Sequence, residues 1–338
     1  MLVRGDFLSV VLENNMTYCL LRKEGNITLA SVDPELKIIK EEAKFEGKKG
    51  FILGVYQNGL LISVDDKLIR IENNEWKVVL KASRSTNVFW HACKVEGTIF
   101  IQEYGETPTG IYASQDFRNW ERLVTNDKVD KSSKHFHYIT YDPYRKWLIA
   151  TLGDKNLTRV IVSKDLGKSW KPLYKGPWQF VPVVCLRDKL VFGMDSYIVR
   201  GGIGIYNPEN ESWSFIFLKW HDKRSRFAQI CDLKLLDNGL WVAAFGTPQA
   251  ILISKDLRAW YLIHVEGYST QFNHYMNVSE GKGTLVCSTG ESLVLFRKNE
   301  LESLMLKTEP VMASYNVRFL HLVNLKHRLK TIIRKVIY

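Results

Sequence analysis

A phenylalanine that opens an apolar run returns along this chain at nearly constant distance, and that spacing restricts the fold more than any other feature. Phe7, Phe51, Phe89, Phe136, Phe180, Phe227 and Phe272 are separated by 44, 38, 47, 44, 47 and 45 residues. Each run is followed by a turn and a second strand-like run, as in "FHYITYDPYRKWLIATLGD" and "FVPVVCLRDKLVFGMDS". A second series runs out of phase with the first. It ends on Trp76, Trp120, Trp170, Trp213 and Trp260, at intervals of 44, 50, 43 and 47 residues. Its best-formed copy is "SKDLGKSW", residues 163 to 170, preceded by the strand-like run Arg159-Val160-Ile161-Val162. There Asp165 can accept from turn amides, and Gly167 can take a backbone conformation that a side chain resists.

Each unit therefore reads as four strands, an inner pair opened by the Phe and an outer pair joined by the Asp turn. Units of this length and content stack radially, which predicts an all-β, seven-bladed β-propeller of four-stranded antiparallel blades over residues 1–308. The first and last units are the most degenerate but both read as complete. On that reading the ring closes by face packing, with residues 309–317 adding an edge strand.

The residues Ser163, Asp165, Gly167, Ser169 and Trp170 resemble the Asp-box, or bacterial neuraminidase repeat, of sialidase-like propellers, with partial copies elsewhere. The resemblance covers residues 1 to 308. It implies that the box is a structural turn on the face opposite the active site, so function is sought at the other face. It also implies a habit of binding carbohydrate. The sialidase signature is missing: no Arg-Ile-Pro triplet stands near the start, and three arginines at matching blade positions cannot be assigned.

Composition agrees with one large unit, since 338 residues that are 46% hydrophobic and 12% aromatic can bury a propeller core. No run of 18 apolar residues exists and the opening "MLVRGDFLSVVLENN" does not read as a signal peptide, so a cytoplasmic location is expected. The five cysteines, Cys19, Cys93, Cys185, Cys231 and Cys287, fall in strands of different units, the pattern of buried free thiols. The net charge of +11 is concentrated in the tail: after Glu309 there is no acidic residue, while Arg318, Lys326, Arg328, Lys330, Arg334 and Lys335 are basic. Leu322, Leu325, Leu329, Ile332, Ile333 and Val336 recur three or four apart there, which predicts a basic amphipathic helix within residues 309–338. Such a helix packs on the propeller, or docks peripherally on an anionic membrane or a protein partner. Nothing accompanies it that points to nucleic acid.

Blade topology brings the start of each inner strand and the end of each second strand to one mouth of the central channel. The starts supply His91, His135, His137, Gln179, Arg226, Gln229 and His274; the ends supply Glu103, Tyr104, Asp154, Asp195, Thr247 and Glu291. His91, His137, Gln179 and His274 suit a divalent metal such as Mn²⁺ or Zn²⁺, an arrangement similar to the three-His-plus-Gln site of the seven-bladed oligogalacturonate lyases. Glu103, Asp154 and His135 are the candidate acids and bases, and Tyr104 a nucleophile in reserve. Arg84, Lys134 and Arg226, with Gln229, Asp195 and Glu291, are candidate substrate contacts, and the basic ones favour an anionic ligand. The expectation is a propeller that binds and cleaves an acidic saccharide, as a glycoside hydrolase or metal-assisted lyase. The alternative is a non-catalytic scaffold or carbohydrate-binding protein docked by its basic tail.

Overall fold

The computed structural model describes residues 1–14, 16–33, 39–56, 59–73, 75–154, 157–195, 201–221, 228–266 and 275–316. The expected helix beyond residue 316, with His274, Arg226, Phe227 and Phe272, lies outside them. Strands follow one another by tight antiparallel turns. The first group is β1 (Leu2–Glu13), β2 (Met16–Lys23), β3 (Asn26–Val32) and β4 (Ile39–Glu46). Then come β5 (Gly50–Tyr56), β6 (Gly59–Val64), β7 (Lys67–Glu72) and β8 (Glu75–Lys81), followed by β9 (Val88–Val95), β10 (Thr98–Tyr104), β11 (Gly110–Ser114) and β12 (Glu121–Thr125). After the short helix α1 (Asn126–Val129) run β13 (Phe136–Asp142), β14 (Trp147–Leu152), β15 (Thr158–Ser163) and β16 (Lys171–Gly176). Next are β17 (Phe180–Cys185), β18 (Leu190–Met194), β19 (Gly202–Asn207) and β20 (Ser212–Trp220), then β21 (Ile230–Leu235), β22 (Trp241–Gly246), β23 (Gln249–Ser254) and β24 (Ala259–Val265). The chain ends its described part with β25 (Asn277–Glu280), β26 (Thr284–Ser288), β27 (Gly290–Arg297), α2 (Lys298–Lys307) and β28 (Met312–Tyr315).

Within each group neighbouring strands pair in sequence order. Second and third strands such as β6, β15, β22 and β23 are buried at every residue, because sheets cover both of their faces. That is why they read as continuous apolar runs rather than alternating ones. Fourth strands such as β12 are half-exposed. The first strands touch one another in turn, β1 to β5, β9, β13, β17, β21, β25 and back to β1, so they line a common axis. Phe7, Phe51, Phe89, Phe136 and Phe180 are buried at or near the openings of their strands. Each fully buried Phe or Leu contributes about 1.5–3 kcal/mol.

Two features differ from the sequence reading. Closure does not rest on face packing alone, because β1 joins the first and last strand groups in one seven-stranded sheet, β25-β26-β27-β1-β2-β3-β4: Leu2, Val3 and Arg4 pair with Val294, Leu293 and Ser292 of β27, while Asp6 to Glu13 pair with β2. A strand of this length can serve both ends of the chain because it shifts register where it crosses, between Arg4 and Phe7 on β27. The segment expected to add an edge strand forms β28, which is no edge: it pairs on both sides, with β20 and β24, and joins their groups in one nine-stranded sheet.

The repeated turn carries the same serine–aspartate pair in three places, with one more residue inside the 163–170 copy than inside the other two. Ser163 Oγ accepts from Gly167 N at 2.7 Å and donates to Asp165 Oδ1 at 2.7 Å, and Asp165 Oδ1 accepts from Ser169 N at 2.8 Å. Ser114 with Asp116, and Ser254 with Asp256, repeat the serine–carboxylate pair, and Asp116 and Asp256 accept from amides two and three residues on. The residue after each Asp takes the left-handed conformation, Phe117 at φ 61°, Leu166 at 55° and Leu257 at 64°. Gly167 follows at φ 91°, where a Cβ would meet Leu123 Cδ1 at 2.6 Å. Trp170 Nε1 and Trp260 Nε1 each donate to the carbonyl three residues earlier.

Candidate functional site

A β-bulge in each of several first strands decides what faces the axis. Along β13, Phe136 pairs with Leu152 and Tyr138 with Thr151, which leaves His137 as the extra residue. Along β9, Phe89 pairs with Glu103 and His91 with Gln102, which leaves Trp90 in that role. His137 and Trp90 are thus counterparts, as are Tyr138 and His91. A bulged residue has no partner across the ladder and is re-aimed, here toward the end of the axis where β10 and β14 finish.

Around that mouth stands an aromatic wall. The ring of Trp90 lies 4.3 Å from Tyr275 and 5.0 Å from Tyr104, and Tyr275 Oη donates to Tyr104 Oη at 3.2 Å. Tyr104 lies 4.2 Å from the His135 ring and 5.5 Å from that of His137. Sequence reasoning found Tyr104 but missed Trp90 and Tyr275. The signal for Trp90 was present: superposing the phenylalanines of "FWH" and "FHY" aligns Trp90 with His137.

Against this wall His135, His137 and Asp154 form a compact group, with one ligand-type atom of each within 4.8 Å of the others. His135 Nε2 is 3.4 Å and His137 Nε2 3.2 Å from Asp154 Oδ1, and Lys134 Nζ is 3.2 Å from Asp154 Oδ2. His135 Nδ1 donates to the Gly105 carbonyl. Both Nε2 atoms are buried without a hydrogen bond of ordinary geometry, an arrangement that costs about 1–3 kcal/mol per group if nothing else satisfies them. Burial alone would raise the Asp154 carboxyl; the His135 and His137 imidazoles outweigh it and hold it well below the usual carboxylate range. Burial pushes His137 below its ordinary value by more than Asp154 restores.

A second carboxyl sits at the end of the next sheet's second strand. Asp195 accepts from Gln229 Nε2 at 3.1 Å, and Thr247 Oγ1 donates to Gln229 Oε1 at 2.7 Å. Burial pushes Asp195 up to about 7, Gln229 opposes the shift and the charge of Asp154 adds to it. Gln179 is buried one residue before β17, as His135 is before β13, and its carbonyl accepts from Asp195 N at 2.8 Å.

Other expected members fall elsewhere. Glu103 points away from Tyr104, as adjacent strand residues must, and its carboxylate is filled by Ser83 N, Ser83 Oγ, Asn87 Nδ2, Gly110 N and Tyr112 Oη. It is a structural anchor between loops, not an acid facing the mouth. His91 lies deeper, one residue past the bulge, with its ring 4.3 Å from Tyr138. It borders a cavity of about 190 Å³ lined also by Asp232, Lys234, Asn277 and Ser279. Burial, then His137 and Lys234, push it down to about 3. Glu291 is exposed on β27, because the second strand ends at Ser288 and the chain has already turned at Gly290. Arg84 is exposed and 3.7 Å from Glu106. His274 and Arg226 lie outside the described residues.

No protein-family model and no curated protein matches the chain. Solved structures do. Virginiamycin B lyase from Staphylococcus aureus superposes with a TM-score of 0.65 at 10% identity, over 87% of this chain and 97% of that one. YCF48 bound to D1 peptide gives 0.58 at 13%, over 88% and 96%. The extracellular domain of the putative one component system BT4673 from B. thetaiotaomicron gives 0.63 at 10%, over 86% of this chain; the chain spans 38% of that protein's length. This chain has a β-propeller fold. At these identities the likeness establishes the fold alone. The mouth walled by Trp90, Tyr104 and Tyr275 is one end of the propeller's axis. Among the described residues no helix is long and apolar enough to cross a membrane.

Proposed function

We propose that this is a seven-bladed propeller, with turns of the Asp-box kind, that binds an acidic saccharide at the Trp90–Tyr104–Tyr275 mouth and cleaves it. The closed circuit of first strands supports the blade count, and the Ser163–Trp170 turn supports the Asp-box likeness. One observation carries the functional reading. Lys134 and two carboxyls, Asp154 and Asp195 at the ends of successive second strands, stand beside the aromatic wall of Trp90, Tyr104 and Tyr275. Burial pushes Asp195 up to about 7, which suits it to hold a proton near neutrality.

In this reading Tyr104 and Tyr275 offer flat apolar faces to a sugar ring, and Lys134 attracts its carboxylate. Asp195 delivers the proton that the leaving glycosidic oxygen needs, with water adding to the anomeric carbon in hydrolysis or taking up the proton beside the uronate carboxylate in elimination. Glu103 takes no part. The test is incubation with uronate-containing oligosaccharides. Cleavage by wild type, with D195N binding but not cleaving, supports the reading, and an unsaturated, ultraviolet-absorbing product distinguishes elimination from hydrolysis. Absence of binding to every acidic saccharide tried removes it. Binding without cleavage by wild type leaves the second reading, a carbohydrate-binding scaffold, which the aromatic wall supports by itself.

A further inference from the structure

We propose that His135 Nε2, His137 Nε2 and Asp154 Oδ1 are the protein ligands of one divalent transition-metal ion. Two ligand atoms each about 2.1 Å from an ion and spread at a tetrahedral angle lie about 3.4 Å apart. The two nitrogens are 3.4 and 3.2 Å from the carboxylate oxygen. Charge-assisted hydrogen bonds close to about 2.7–2.9 Å, and these contacts neither close so far nor have hydrogen-bond geometry. The two nitrogen–oxygen distances are thus those of ligands sharing an ion, and the three groups' ligand atoms all lie within 4.8 Å of one another.

The surroundings prepare two of the three ligands, while His137 Nδ1 is buried without a hydrogen bond. By donating from Nδ1 to the Gly105 carbonyl, His135 keeps the lone pair on Nε2, the usual arrangement of a metal-bound imidazole. Asp154 divides its oxygens, Oδ2 toward Lys134 and Oδ1 toward the imidazoles. His137 is 2% and His135 8% exposed, so neither nitrogen can be satisfied by bulk water. Two imidazoles and one carboxylate suit Zn²⁺, Mn²⁺ or Co²⁺ over the oxygen-seeking Mg²⁺ and Ca²⁺. The set differs from the one expected from sequence, His91, His137, Gln179 and His274: it keeps His137 and adds His135 and Asp154, while His274 lies outside the described residues. Three protein ligands leave a position open, and Tyr104 lies against the histidine pair. Resting on the saccharide reading above, the open position would take the ligand's carboxylate.

The experiment titrates full-length, untagged, chelator-stripped protein with Co²⁺ alone and follows the visible absorption of the bound ion. One Co²⁺ per chain is expected. D154N and H135Q should bind it on the order of 100-fold more weakly or worse, beyond what loss of an outer partner does, and H91Q should bind it as wild type does. Circular dichroism and melting identify any variant that fails to fold; D154N and H135Q decide if H137Q does. Folded wild type that binds no Co²⁺, binding that survives in D154N and H135Q, or binding lost in H91Q overturns the site. Adding a uronate oligosaccharide to the cobalt form then separates the two readings. A changed spectrum supports both, whereas a cobalt centre whose spectrum the saccharide leaves unmoved keeps the metal site and removes the carboxylate ligand.

Discussion

Trp90 and His137 occupy the same station on adjacent first strands: each is the extra residue of a β-bulge, and their rings lie 6.3 Å apart at one mouth of the propeller. A regular strand would have sent residues on either side of these to the mouth instead. The bulges thus convert a structural repeat into a chemically mixed wall, with an indole from one sheet and an imidazole from the next. Residues one place further, His91 and Tyr138, meet each other inside the channel.

Asp195 makes stability depend on pH in a direction opposite to that of a salt-bridged carboxylate. Its folded value of about 7 lies above the ordinary 3.8, so the folded state keeps a proton that the unfolded chain releases. Its burial costs nothing below about pH 4, costs progressively more toward about pH 7, and is fully penalised above that. The ceiling is roughly 4 kcal/mol, and Asp195 is only half-buried, so a fraction of it is expected. D195N should therefore be more stable than wild type at pH 8, with the advantage shrinking to nothing near pH 4. Denaturant melts of both proteins across that range are the check; a constant difference would show that the carboxyl stays ionised.

The repeated tryptophans do not contribute equally. Trp260 is 0% exposed and packs with Phe245 and Met312, whereas Trp76 is 53% exposed and Trp170 half-buried. Trp260→Ala should cost about 3–5 kcal/mol as a large-to-small core change, and Trp170→Ala less than half as much. Both lie at turns remote from the mouth, so ligand binding per folded molecule should be unchanged. Urea midpoints and a binding isotherm for the two variants test the order, and a larger loss for Trp170→Ala would contradict it.

Much of the fold was legible because sterics fixed its markers. A buried Phe at or near the opening of five described first strands, and a Trp at or beside the start of β8, β12, β16, β20 and β24, recur where the same sheet must be built. Ser163 and Asp165 could be read as a turn for the same reason, although the left-handed conformation falls on Leu166 as well as on Gly167. The site was less legible because a bulge inserts one residue without a fixed sequence mark. That slip put His91 with His137 and left Trp90 unnoticed. Strand parity misled in another way, since Glu103 and Tyr104 end the same strand but face opposite sides. The sharing of β1 was hidden because Leu2 to Arg4 and Asp6 to Glu13 form one uninterrupted strand.

Residues 1–5 should act as a clasp. Leu2, Val3 and Arg4 complete the sheet on β27, Met1 N donates to the Leu295 carbonyl at 2.9 Å, and Arg4 is paired with Glu266 and Ser292. Deleting residues 1–5 would uncover the β27 edge, which is a template for pairing with another chain. The truncated protein should unfold at lower urea and scatter more light on warming, with its secondary structure at low temperature largely kept. An unchanged midpoint would mean that packing between sheet faces suffices to hold the ends together.

Glu103→Ala should look like a folding defect, and Glu103→Gln like a milder one. The Glu103 carboxylate is fully buried and accepts from two backbone amides, one hydroxyl of Ser83, the Asn87 amide and the Tyr112 phenol. Alanine removes every acceptor at once and leaves the buried donors of Asn87, Gly110 and Tyr112 short of a partner, each at a cost of about 1–3 kcal/mol where water cannot enter, while the exposed Ser83 can turn to water. Glutamine keeps one acceptor oxygen but turns its amide nitrogen toward donors, so part of the loss should persist. The expected order of melting temperature is wild type, then Gln, then Ala, with the loops carrying Ser83 and Asn87 exchanging amide hydrogens faster in the variants. Cobalt binding by the fraction that folds should be unchanged, because Tyr104 and the histidine pair lie on the other side of the strand. A Glu103→Ala protein that melts like wild type yet loses its ligand would return Glu103 to the mouth and refute the parity argument that removed it.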